Sequence, residues 1–538
     1  MITTPLMQTR DAYDVVVIGS GAAGLVAAIR TADAGLRVLV LEKAERLGGT
    51  SAISGGVMWA PASHLMRDAG FPDSADAAAD YLRAATAGSM PESEIGWYVT
   101  QAPRAVRYLA ENTRVRQLPL ARPDYHMEWP GAAAGGRGLD NAVFDPAEFS
   151  GLAETIREPS YFPPISMGER DDLRGAPIDT DLLQARTSAG IRTMGGALIG
   201  SLVASALDRG IDLVVKARVT GLQPIGDRWQ LLIGGGTYPD RSVIADQVVI
   251  ASGGFEWNSQ LRNALLPIEI TPISAPSNEG DGLVLGLSVG AGLSDATSIW
   301  GVPVIAAPTQ TYDGVPSGRM ANVEMTLPGS ITVNAQGRRF VNEALNYHDL
   351  TRVFANVDPA TGQPANSPSW LVFDRDYLDH YPVAGSTPGQ PEPWMLTADT
   401  LAALAELCAM SGPGLVDTVT RFNIGADLGR DDEFGRGATP QDRHLGDPSN
   451  LPNPCLAPLR TAPFYAVPIR AGVLGTAGGL RTNLYGQVLT HNGEPIGGLF
   501  AAGNCSATVF HDSYPGGGAT LGSAITRAFA VGEFLARR

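Results

Sequence analysis

The chain has 538 residues, 44% hydrophobic and 17% charged, with 39 Lys and Arg against 55 Asp and Glu. Such a chain has core for two or three domains and is not globally disordered. Its formal charge of −16 repels phosphate backbones, so no nucleic-acid partner is expected. Cys408, Cys455 and Cys505 lack metal-ligand spacing and are odd in number, which fits a reducing cytoplasm better than a disulfide framework. The start "MITTPLMQTRDAYD" has no apolar signal core, and no run of about 18 apolar residues occurs. The expected location is cytoplasmic, with peripheral membrane association open should the substrate be apolar.

The clearest elements come first, in "DVVVIGSGAAGLVAAIRTADAGLRVLVLEKAERLGGTSAISGG". The apolar run Val15 to Ile18 predicts a strand buried on both faces. Gly19, Gly21 and Gly24 follow as G-x-G-x-x-G, and "LVAAIRTADAG" has helical spacing as far as Gly35. "RVLVLE" is the next strand and ends at Glu42, 18 residues beyond Gly24. These parts make a βαβ unit for a dinucleotide. Gly19 permits a tight turn, Gly21 lets backbone approach a pyrophosphate, and Gly24 lets helix pack on strand. Amides at the helix start, around Ala22 and Ala23, face the phosphates, and Glu42 accepts hydrogen bonds from a ribose. Beyond it come Lys43 and small residues, Gly49, Thr50, Ser51, Gly55 and Gly56 among them, that would admit a long ribityl chain.

Residues 191 to 222 read as a helix, then a strand around Leu213 to Val219. "DQVVIASGGFEWN" reads as another buried strand with a glycine turn. "NEGDGLVLGLSVGAGL" starts a helix after a Gly-Asp-Gly turn and marks a change of domain. Prolines then cluster in "DPATGQPANSPSW", "GSTPGQPEPW" and "GDPSNLPNPCLAP", with short strands such as "WLVFD" between them. The predicted fold is α/β: a discontinuous Rossmann-like domain, 1–275 and 455–538, with an inserted α+β domain, 276–454, as a cap. Near the end, "LFAAG" is a short strand leading to Gly503 and Asn504. "HDSYPGGGAT" then leaves no room for a packed element, and "GSAITRAFAVGEFLA" is a last helix.

The early βαβ unit paired with a late "GLFAAGN" resembles the FAD-containing oxidoreductases, especially the fumarate reductase and succinate dehydrogenase flavoprotein superfamily. This resemblance implies FAD, with the backbone at Val219 beside the adenine and the last helix, from about Leu521, facing the flavin. "TSAISGG" has no His where succinate dehydrogenases carry a flavin link, so the FAD is expected to be non-covalent. Fumarate reductases carry a His before Met-Gly-Gly and an Arg near the carboxyl end. The matching stretches here, "VLGTAGG" and "TVFHDSYPGGG", have neither, so a dicarboxylate would lack its counter-ions.

"LGTAGGLRT" and "AAGNCSATVFHDSYPGGGATLGSA" look instead like the 3-ketosteroid dehydrogenases. The resemblance implies that the Tyr514 hydroxyl and the Gly518 N–H hydrogen-bond a C3 carbonyl. It implies a base at Tyr347, after "RRFVNE", supported by Tyr125 of the "PDY" stretch. Gly517 departs from the proline usual there, which bears on substrate identity. The expected reaction is Δ1-desaturation of a 3-ketosteroid, with a quinone or other electron acceptor, since no second nucleotide motif is present. Rival readings are Δ4-dehydrogenation of 5α-steroids, desaturation or enone reduction of another cyclic ketone, and a flavin-bound regulatory protein. The last would predict degraded tyrosines, and all three are present. His126, which follows Tyr125, is the alternative partner in its place, while His348 and His511 neighbour candidate positions and are read as structural or solvent-facing.

Overall fold

The computed structural model describes residues 2–173, 178–234 and 240–537. The chain divides into two compact units: Met1–Leu266 with Ser274–Ile299 and Gly475–Arg538, and Pro267–Ile273 with Trp300–Leu474. In the first, β1 (Ala12–Ile18), α1 (Ala22–Ala32) and β2 (Val38–Leu41) follow one another. Later come α2 (Met194–Leu207), β3 (Asp212–Val214), β4 (Arg241–Ile250), β5 (Pro495–Ala501) and α3 (Ala519–Leu535). The strand order is β5-β4-β1-β2-β3, all parallel. Val15, Val16 and Val17 are fully buried because β1 has a partner on each edge and helices cover a parallel sheet. The carboxyl ends of β4, β1 and β2 therefore open a crevice of the kind in which such sheets bind ligands. α2 is apolar all round and buried from Met194 to Ala206, as a core helix must be.

The single strand expected from Leu213 to Val219 is two elements. β3 stops at Val214, and Val219–Ile225 instead pairs with Arg228–Ile233 in an antiparallel ribbon that joins the same sheet along β4. Between them Lys216 turns at φ 58, with its N–H on Ala44 O and that of Ala217 on Glu42 O. Hydrogen bonds to the segment after β2 break a run that is apolar enough to continue.

The second unit is a mainly antiparallel sheet around the long strand Phe464–Thr476, which pairs with Ser369–Phe373, itself paired with Ser330–Asn334. Its core brings Ile331, Val333 and Val372 of the sheet against Leu404, Leu415 and Phe422 of the helices Leu401–Leu407 and Gly412–Asp427. The units divide differently from the expected limits at 276 and 454. Ser274–Ile299 stays with the first unit, where Lys43 bonds Glu279 and Asp281 at the start of the helix Asp281–Ser288. Residues 455–474 belong to the second because 464–474 form its central strand. Among the described residues no helix is long and apolar enough to cross a membrane.

Candidate active site

Where β1 ends, Gly19 turns at φ +108, and a Cβ there would lie 2.3 Å from Ala251 O at the end of β4. A Cβ on Gly24 would lie 2.0 Å from Gly19 O, so a side chain at either position would force turn and helix apart. Gly21 has room: the nearest atom to a Cβ built there is Ser51 Oγ at 3.5 Å, and Gly49 meets nothing within 4 Å. The ladder of α1 begins with Leu25 N on Gly21 O, so the amides before Leu25 have no intrahelical acceptor. Ala22 N is held by Ser51 Oγ at 3.1 Å. Open space over glycine at a helix start fits a pyrophosphate.

The Glu42 carboxylate is buried and fixed by three donors: Ser20 Oγ at 2.7 Å and Ser20 N at 3.2 Å on Oε2, Ala44 N at 2.9 Å on Oε1. That holds it at the end of β2, where a ribose needs an acceptor. Thr50 Oγ1 accepts from Ala275 N at 3.1 Å and Asn278 Nδ2 at 2.9 Å. Gly503, after β5, comes against α1, since its built Cβ lies 3.3 Å from Ala23 Cβ. Gly55 and Gly56 pack on Met167 and the start of α2, Val219 opens the ribbon, Asn504 follows Gly503, and Leu521 is buried in the first turn of α3. Lys43 is turned to Glu279 at 2.8 Å and Asp281 at 2.9 Å. Phosphate amides, a ribose acceptor and small residues along the chain fit FAD.

The rings of Tyr125 and Tyr514 stack with centroids 5.7 Å apart and an interplanar angle of 17°, and both are buried. Thr520 Oγ1, in the first turn of α3, donates to Tyr514 Oη at 3.3 Å. Gly518, at φ +98, is the N-cap of α3, and a Cβ there would lie 2.5 Å from Val57 O. A Cβ on Gly517 would meet only Tyr125 Oη, at 3.7 Å. The Tyr81 phenol ties the two segments together: it donates to Pro515 O at 2.6 Å and accepts His126 N at 3.3 Å. Beside Tyr125, the buried Asp124 accepts from Trp59 Nε1 at 2.9 Å and Arg137 Nη1 at 2.6 Å. Arg137 also grips Asp73 through two nitrogens, at 3.0 and 2.6 Å. Burial raises the Asp124 pKa, while Arg137 and Trp59 work against that rise.

Tyr347, half-buried in the second unit, opens the helix Tyr347–Arg352, capped by the Asn346 side chain on Asp349 N at 3.0 Å. The preceding "RRFVNE" is a buried ionic frame. Arg339 bonds both Glu343 oxygens, at 2.9 and 2.6 Å, and both Asp431 oxygens, at 2.9 and 2.8 Å. It lies 5.0 Å from each of the Phe422 and Phe434 ring centroids, and Arg436 approaches Glu343 to 3.4 Å. Burial alone would raise the Glu343 pKa, but Arg339 and Arg436 hold it below the ordinary value. His126 stacks on Trp129 and meets Glu128 at 2.8 Å, His348 is buried with Arg352 at 3.3 Å, and His511 meets Glu94 at 3.4 Å. Thus Tyr125, Tyr514 and Gly518 share one site in the first unit, and Tyr347 stands in the second. Tyr81, Trp59 and Arg137 escaped the sequence reading because no local motif contains them; Asp124 was visible as the acid of "PDY".

A family model described as an FAD binding domain matches residues 14–521. A 4-oxocyclohexanecarboxylate 2-dehydrogenase of Sinomonas cyclohexanicum is 39% identical over 98% of this chain and 93% of its own length. A 3-oxosteroid 1-dehydrogenase of Mycolicibacterium smegmatis is 33% identical over 96% of each chain. The crystal structure of the 3-ketosteroid Δ1-dehydrogenase of Sterolibacterium denitrificans, in complex with 1,4-androstadiene-3,17-dione, is 32% identical with a TM-score of 0.91. That match covers 98% of this chain and 100% of the other. A match along nearly the whole chain, over a crevice built for a dinucleotide, places this protein in the FAD-binding flavoprotein family with the 3-oxosteroid 1-dehydrogenases, as an FAD-dependent oxidoreductase acting on CH–CH bonds.

Proposed function

We propose that the chain desaturates a ring ketone next to its carbonyl, in the manner of 1,2-dehydrogenation of a 3-ketosteroid. The buried Tyr125–Tyr514 stack beside the glycine turn that caps α3 carries this reading. The Tyr514 O–H and the Gly518 N–H are the two donors an enolate oxygen requires, and roughly 10²–10³ in rate depends on one such donor. Tyr347 takes the proton from C2. An isolated phenol titrates near ~10, so this base needs its phenolate stabilised by a hydrogen-bond donor, which adds no second buried charge. FAD, held non-covalently by the Gly19–Gly24 turn, Glu42 and Thr50, would supply the hydride acceptor for C1. The amino end of α3 favours negative charge near its first turn. A quinone or similar acceptor would remove the electrons.

A second reading rests on the 39% identity to the 4-oxocyclohexanecarboxylate 2-dehydrogenase: the same chemistry on a single-ring keto acid. One experiment separates them. The holoprotein is mixed anaerobically with 4-androstene-3,17-dione or with 4-oxocyclohexanecarboxylate, and bleaching of the flavin band is followed with product analysis. Bleaching by the steroid with formation of the 1,4-diene supports the first reading. Bleaching by the keto acid alone supports the second, and bleaching by neither overturns both.

A further inference from the structure

Glu256 lies beyond β4, after the glycine turn at Gly253, and has no solvent exposure. Its Oε1 accepts from Ser274 Oγ at 2.6 Å and Asn278 Nδ2 at 2.7 Å, and its Oε2 from Thr476 N at 3.3 Å. Ser274 and Thr476 are the first and second residues after two returns of the chain into the first unit. Asn278 approaches closely because Gly253 has no side chain: a Cβ there would lie 2.5 Å from Asn278 Oδ1. The same Asn278 amide also donates to Thr50 Oγ1 at 2.9 Å, and Ala275 N donates to it at 3.1 Å.

A hydroxyl has one proton and two acceptor lone pairs. With two N–H groups pointed at it, the Thr50 oxygen is an acceptor toward the protein, and its proton is left to donate elsewhere. Thr50 stands between Gly49, which faces open space, and Ser51, which holds the first amide of α1. We propose that Glu256 is a positioning residue for the flavin cofactor, acting through Asn278 to present the Thr50 hydroxyl as a donor to FAD. The same carboxylate fastens Ser274 and Thr476 to the loop after β4, so one buried acid orients three segments. Burial raises its pKa and the Ser274 and Asn278 hydrogen bonds oppose the rise, as expected of an acid held for its lone pairs. The inference rests on FAD binding and is independent of which ketone reacts.

The test reads FAD retention rather than turnover. Glu256→Gln keeps the size but turns an N–H toward groups that are themselves donors, so one hydrogen bond is lost. Purified holoproteins of Glu256→Gln, Thr50→Val and the double variant are compared by FAD dissociation constant and flavin midpoint potential. Each single change is expected to weaken FAD about tenfold, and the double variant to be no weaker than Thr50→Val, because both cut one chain of contacts. A double variant weakened by the product of the two effects overturns the proposal. So does a Glu256→Gln protein that melts at lower temperature with FAD affinity and potential unchanged. Should Glu256→Gln yield no folded holoprotein, Asn278→Ala cuts the same link and is read in the same cycle by the same criterion.

Discussion

At the scale of single residues, the proposed chemistry depends on where protons sit. Tyr514→Phe removes one of two donors to the carbonyl and leaves the ring stack with Tyr125 in place. Anaerobic flavin reduction by the ketone substrate should slow about 10²–10³-fold, with KM changed far less. Tyr347→Phe removes the proposed base: exchange of the substrate C2 hydrogen with deuterated solvent, followed by mass spectrometry, should stop along with flavin reduction. Retained exchange in Tyr347→Phe would assign the base elsewhere. Both proposed tyrosines stand out in the sequence because each lies in a short motif. The Ser20 bonds that fix Glu42 were not, since a serine inside G-x-G-x-x-G carries no mark of its partner.

At the scale of elements, the 511–518 loop has no regular structure before α3 starts, so neighbours must hold it. Tyr81 does so with one oxygen that joins Pro515 O to His126 N, and it lies on the helix Ala75–Ala85, buried against the same cluster. Tyr81→Phe breaks both bonds but keeps the packing. The expected result is a fall of about tenfold in kcat with FAD retained, because a small displacement of a positioned donor slows the chemical step more than it weakens binding. A rise in KM alone, with kcat unchanged, would show that the loop holds its place without the phenol. Element existence was readable from periodicity, as in β1, α1, β2 and β4. The break at Lys216 was not, because it is set by hydrogen bonds from Lys216 and Ala217 to residues some 170 positions away, which hydropathy does not encode.

At the scale of the whole molecule, each unit has a buried polar frame that its fold depends on. In the second, Glu343 is fully buried among Arg339, Arg436 and the Thr332 amide. Glu343→Ala should destabilise the protein by about 3–5 kcal/mol at neutral pH, the cost of leaving buried guanidinium charge uncompensated. The folded pKa of Glu343 lies below its ordinary value of 4.5, so its contribution is complete above about 4.5 and is lost as pH falls through the lower folded value. The stability gap between wild type and Glu343→Ala, measured by denaturant titration, should therefore narrow only on the acid side of that range. Bound FAD stabilises the folded chain by mass action, about 2.7 kcal/mol at a hundredfold excess over its dissociation constant. Stripping the flavin should lower the melting temperature, and re-adding it should restore it.

The sequence by itself determined the cofactor fold and the reaction class. The glycines after β1 and the acid after β2 act through backbone turns and neighbouring residues, and such short-range chemistry is written in consecutive letters. Only the tertiary structure decided which distant groups hold them. Tyr81 reaches Pro515, Arg137 joins Asp73 to Asp124, and Glu256 gathers Ser274, Asn278 and Thr476. It also decided where the units divide, since the strand at residues 464–474 joins whichever sheet offers its edges a partner. Buried polar groups must find partners wherever the fold brings them, and that choice is made in space rather than along the chain.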